Sequence, residues 1–119
     1  MNVDFAEAFR ARLRADLKNA MQQRLAVETT VIRSLIAAID NAQAVAVGDF
    51  HEKFVMRAFG DKAAEVPRRA LSKGDVDALL AREIAERREA MEQYQAHGRG
   101  DAASKLLDEV VVLERYLTR

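Results

Sequence analysis

Helix breakers are nearly missing from this chain: its 119 residues hold one Pro and five Gly, and Gly48, Gly60 and Pro67 fall in a single central stretch. Ala, Leu, Glu and Arg dominate the rest, so intrinsic propensity summed over long windows favours helix nearly throughout. The expected fold is all-α. Half of the residues are hydrophobic and 32% are charged, as in an ordinary globular domain, and a chain of this length supports one core. We therefore expect a single domain over residues 1–119.

Apolar periodicity divides the chain into four helices at about 4–22, 26–44, 73–97 and 101–117. Asp4 and Glu7 have capping-box spacing at the first, whose apolar stripe is Phe5, Phe9, Leu13, Leu17 and Met21, with Arg10, Arg12, Arg14 and Lys18 on the other sides. After a break near Gln23 to Leu25, the second helix places Val31, Ile32, Leu35, Ile36 and Ile39 on one broad face and is expected to end before Gly48. Arg33 lies at the edge of that face, where its stem covers apolar surface and its guanidinium can reach a carboxylate.

Ser72-Lys73-Gly74-Asp75 reads as a capping box, flanked by Leu71 and Val76 at the two positions of a hydrophobic staple. The third helix then carries Val76, Leu79, Leu80, Ile84, Met91 and Tyr94, with Arg87 inside the same stripe. Gly98 is placed to take the left-handed conformation at its end. The fourth, with Asp101 as candidate cap, carries Ala103, Leu106, Leu107, Val110, Leu113 and Leu117, with Glu114 near its centre. A link as short as His97-Gly98-Arg99-Gly100 dictates an antiparallel hairpin. The expectation is a small antiparallel bundle of two helical hairpins. Between them, residues 45–72 form an irregular or short-helix insertion, with a helix expected around Phe50 to Phe59.

Chemistry is narrowed by what is lacking. With no Cys there is no thiolate nucleophile and no Cys-ligated metal. His51 and His97 lack helical metal-pair spacing, so neither a metal nor another cofactor is expected. No nucleophile-elbow, P-loop or dinucleotide motif occurs, and Ser34 in the middle of the second helix, Ser72 as a cap and Ser104 in the first turn of the fourth form no recognisable amidase-type Ser and Lys arrangement, so no catalytic residue is assigned. Arg87 and Glu114 read as a core-facing pair that fixes bundle register. Nineteen Lys and Arg balance nineteen Asp and Glu, which removes a global pull on nucleic acid or membrane. Local basic groups remain, at Arg10/Arg12/Arg14/Lys18 and at Lys62/Arg68/Arg69/Lys73. The early acids Asp4 and Glu7 and the lack of a long apolar run point by default to a cytoplasmic protein without membrane contact.

Five segments carry a resemblance. Leu13-Arg14-Ala15-Asp16-Leu17-Lys18-Asn19-Ala20-Met21 and Val31-Ile32-Arg33-Ser34-Leu35-Ile36-Ala37-Ala38-Ile39 resemble the opening of the YqeY-like family, the GatB/YqeY domain proteins. Glu83 through Tyr94, then Gly98-Arg99-Gly100-Asp101 and Glu109 through Tyr116-Leu117, resemble its later helix, Gly-Arg turn and closing Glu-Tyr-Leu segment. The resemblance implies an all-helical domain related to the tail of the GatB subunit of tRNA-dependent amidotransferase, which is thought to contact tRNA. The family is grouped with carbon–nitrogen ligases that use glutamine as amido-N-donor, chemistry housed in other domains of that complex.

From this resemblance we expect an accessory or interaction protein, tRNA-linked, with tRNA or amidotransferase and aminoacylation proteins as partners and no DNA. The alternatives are a component of glutamine-dependent amide transfer and a structural homodimer. Arg33, Arg87 and Arg99 fall on family-pattern arginines and are the leading binding candidates, joined by Arg68, Arg69 and Phe54 from a central segment longer than in short family members. The family usually continues past Tyr-Leu with Pro and a small helical subdomain. Here Thr118-Arg119 follow, so that tail is expected to be absent.

Overall fold

The computed structural model describes residues 4–58 and 70–117, with side chains over 4–44 and 70–117. Four helices run in the order α1 (Phe5–Gln22), α2 (Ala26–Ala58), α3 (Lys73–Ala96) and α4 (Gly100–Leu117), without strands among the described residues. The expected all-α fold and its two hairpins, α1 with α2 and α3 with α4, are present, and α2 packs on both α3 and α4.

The first hairpin turns because α1 ends in a Schellman motif: Leu25 N–H reaches Ala20 O (2.9 Å) and Arg24 N–H reaches Met21 O (3.2 Å). Arg24 takes the left-handed position at φ 59°, where glycine is the unstrained choice. The same motif closes α3, with Arg99 N–H on Tyr94 O (2.7 Å), Gly98 N–H on Gln95 O (3.1 Å) and Gly98 itself at φ 71°. The Ser72 capping box is complete: Asp75 N–H donates to Ser72 Oγ (3.1 Å) and Ser72 N–H to Asp75 Oδ2 (3.0 Å). Leu71 and Val76, its staple residues, are both buried.

Several boundaries differ from expectation. The second helix does not end before Gly48. It continues for 33 residues and absorbs the short helix expected at 50–59. One internal glycine costs a helix only about 1 kcal/mol relative to Ala, too little to break it when helix formers continue on both sides. Asp101 lies inside the first turn of α4, and the first turn is accepted by the carbonyl of Arg99 (Ala103 N–H, 3.1 Å). Asp4 caps α1 as expected, accepting the Ala6 N–H next to Glu7 (3.1 Å), and its Oδ1 also accepts Leu71 N–H (3.3 Å), tying the start of α1 to the entry of α3.

The core is built from Leu13 of α1, Val31, Ile32, Leu35 and Ile39 of α2, Val76 and Leu80 of α3 and Val110 and Leu113 of α4, all essentially inaccessible. Removing such side chains from water is the main stabilising term. Met21, Tyr94 and Leu107, expected on apolar stripes, are instead exposed. Val112 and Tyr116 are buried in their place.

Candidate functional site

Arg87 is the polar centre where three helices meet. From α3 its Nε donates to Glu109 Oε1 of α4 (2.9 Å), and Nη1 donates to Glu83 Oε1 (2.9 Å) and Glu83 O (3.1 Å) one turn earlier. Its Nη2 reaches Ser34 Oγ of α2 at 3.4 Å. The three charged side chains are only 15–16% exposed. Burial works against the charge on Arg87, but the hydrogen bonds and charges of Glu83 and Glu109 outweigh it and hold the guanidinium above its ordinary pKa. The acid expected here, Glu114, pairs instead with Arg88 at the surface (2.7 Å, 45% exposed). A register device is present, with a different acid: at the α3–α4 crossing Glu109 faces Arg87 and Glu114 lies farther along the helix.

With its fork occupied on three helices, Arg87 does not offer a free guanidinium to a ligand. Arg10 is likewise removed from the basic group expected on α1. It is buried and bound to Asp40 (2.9 Å) and to the Gln43 amide oxygen, an interior pairing that joins the two arms of the first hairpin. Arg12 lies over the Tyr116 ring, 4.7 Å from its centroid, and near Asp16 (3.9 Å). Tyr116 donates its phenolic hydrogen to Asp16 Oδ2 (2.6 Å) and meets Phe9 edge-on at 5.8 Å. Burial, then the hydrogen bond and charge of Asp16, push its pKa well up. Arg115 closes the same region on Glu28 of α2 (3.2 Å). Lys73, from the second basic group, binds Asp77 (2.8 Å).

The other candidates are more open. Arg33 is exposed, and its guanidinium reaches Met21 Sδ (3.8 Å) instead of the anticipated carboxylate. Arg99 sits in the α3–α4 turn with its side chain 60% exposed and Asp101 at 3.6 Å. Its backbone N–H, rather than its side chain, satisfies the end of α3. His97 Nδ1–H donates to Gln93 O (2.7 Å), a role inside the helix end. The structure does not bring Arg33, Arg87 and Arg99 together by any described contact. Arg68, Arg69 and the side chain of Phe54 lie outside the described residues.

Sequence reasoning missed Arg24, although its place after a helix end was visible, and Ser34 as a partner of Arg87. Glu83, four residues before Arg87, was detectable from i,i+4 spacing alone. Among the described residues no three His, Asp or Glu side chains are placed to share a metal ion, and no helix is long and apolar enough to cross a membrane.

These features define an all-α protein of two helical hairpins, clamped at the crossing by an internal ion-pair cluster. The profile of the YqeY family, described as Yqey-like protein, matches residues 51–119, more than half of the chain, and the chain belongs to that family. The match spans α3, α4 and the last eight residues of α2, and leaves α1 and the rest of α2 outside it. No curated protein and no solved structure matches the chain significantly.

Proposed function

We propose that this chain is an accessory binding protein linked to tRNA-dependent aminoacylation, which contacts RNA through arginines at its two hairpin turns. The observation that carries this reading is how the arginines are divided. Arg10, Arg12, Arg87, Arg88 and Arg115 are tied to carboxylates of the fold. Arg24 and Arg33, at the α1–α2 turn, have no carboxylate partner among the described residues, and Arg99, in the α3–α4 turn, meets the exposed Asp101 at 3.6 Å but keeps its side chain 60% exposed. Phosphate contacts need a guanidinium whose N–H fork faces solvent. The α3–α4 turn also projects clear of the core: every residue from Glu92 to Asp101 is exposed. The kinship implied with the GatB tail supplies tRNA as the ligand class.

Because net charge is zero, affinity must come from a few local contacts. With about three phosphates engaged, log affinity falls against log salt with a slope of about −2 to −3. Fluorescence anisotropy with unfractionated tRNA tests this, and Arg33→Glu with Arg99→Glu is expected to abolish binding without loss of helicity. Unchanged binding in that variant, or none by the native chain at low salt, refutes the reading. Glutamine hydrolysis by the purified chain, lost in a folded Arg87→Ala variant, would favour the amide-transfer alternative. The homodimer alternative has its own support in Leu107 and Val111, one turn apart on α4 and nearly half exposed. Sedimentation of native and Val111→Lys protein decides it.

A further inference from the structure

The α1–α2 turn leaves a cleft of about 410 Å³ lined by Met21, Arg24, Ala26, Thr29, Thr30 and Arg33. Its origin is local. The chain leaves α1 through Arg24 and enters α2 at Ala26, whose small side chain leaves space on the flank it shares with Thr30 and Arg33. Arg33, two turns into α2, reaches back over Met21, so the two arginines bound the opening from either side of the turn. Met21 lines it half exposed.

The electrostatics of this cleft are one-sided. Neither arginine has a carboxylate partner among the described residues, although acids and bases are equal in number over the chain. Glu28, the nearest acid in sequence, is drawn to Arg115 of α4. Lys18 lies one helical turn before Met21 and is exposed. Thr29 already donates its hydroxyl hydrogen to Leu25 O (2.8 Å), whereas Thr30 is exposed with no described partner and can donate. Two forked cations and a hydroxyl around an acid-free opening match an oxyanion carrying several acceptor oxygens. The cleft is shallow and open to solvent, which suits a phosphate held at the surface with its attached group outside.

We infer that this cleft is a phosphate-ester site in which Arg24 and Arg33 clamp the phosphate and Thr30 donates a further hydrogen bond. That the phosphate is carried by RNA rests on the proposed function; the phosphate site itself does not. The test is amide-resolved NMR of the full chain, titrated separately with inorganic phosphate, uridine monophosphate and a single-stranded oligouridylate. Amides of residues 21–33 are expected to shift saturably with each. Arg33→Gln and Arg24→Gln are each expected to weaken binding by about tenfold or more, while Arg82→Gln, an exposed arginine of α3, leaves it unchanged. The amide spectrum itself reports whether each variant is folded. Saturable shifts with phosphate and the monophosphate but none with the oligonucleotide would uphold the cleft and sink the RNA reading. Oligonucleotide binding that leaves these amides unmoved, or survives both arginine changes, overturns the cleft and removes the α1–α2 turn from the RNA reading, leaving RNA contact to the α3–α4 turn. No shift of residues 21–33 at millimolar phosphate also overturns it.

Discussion

Replacing Arg87 with Met removes the one cation between Glu83 and Glu109 while keeping much of its apolar bulk. Both carboxylates are about 15% exposed and sit on Arg87 at 2.9 Å, so the variant leaves two like charges facing each other with little water. Removing one partner of a buried pair costs about 3–5 kcal/mol, and the residual water access here lowers that to about 2–4 kcal/mol. For a domain of this size the loss corresponds to a fall of about 8–15 °C in Tm. Urea unfolding followed by circular dichroism measures it, with an unchanged m-value showing that the unfolding reaction is the same. The decisive arm is rescue. Arg87→Met combined with Glu83→Gln and Glu109→Gln removes the stranded charges and should recover at least half of the loss, since neutral isosteres of buried ion pairs are often as stable as the pair. A loss below about 1 kcal/mol, or a triple variant no more stable than Arg87→Met, would refute the assignment of Arg87 as the group that holds α2, α3 and α4 in register.

The two hairpin turns make opposite predictions: Arg24→Gly should stabilise by about 0.5–1 kcal/mol by relieving a left-handed non-glycine residue, and Gly98→Ala should destabilise by about 1 kcal/mol. Because a Cβ at Gly98 meets nothing within 4 Å, that second cost is purely conformational, and both are read from urea midpoints. Tyr116 has a folded pKa raised above its ordinary value of 10.0, so its contribution to stability is complete below about pH 10 and is lost as pH rises toward the folded value. The phenolate absorbance missing from Tyr116→Phe should therefore appear only together with unfolding. Ser72→Ala removes the capping box of α3 and should cost about 1 kcal/mol in the same urea assay.

Local signals were legible wherever the physics is local. The Ser72 box, the Gly98 turn and the break at Gln23 to Leu25 each involve backbone groups within six residues of one another, so spacing alone exposes them. The end of α2 was not legible, because Gly48 lowers helix stability without forbidding helix. Of the candidate binding residues, sequence placed Arg99 in a turn and Arg33 at a helix edge, as found. It missed Arg24, whose significance depends on which side chains from α2 fold back beside it.

Composition and periodicity by themselves determined an all-α chain of two hairpins, since helix propensity, apolar spacing and short turns act within one or two helical turns. Tertiary structure alone decided which charges are structural. Arg10 and Arg14 are both basic residues of α1, yet Arg10 is buried against Asp40 and Gln43 while Arg14 faces solvent. Arg87 takes Glu109 and not Glu114 for the same reason. Ion-pair choice depends on crossing angle and helix offset, quantities fixed only when the hairpins pack, so the chain's charges acquire their roles after its helices are already specified.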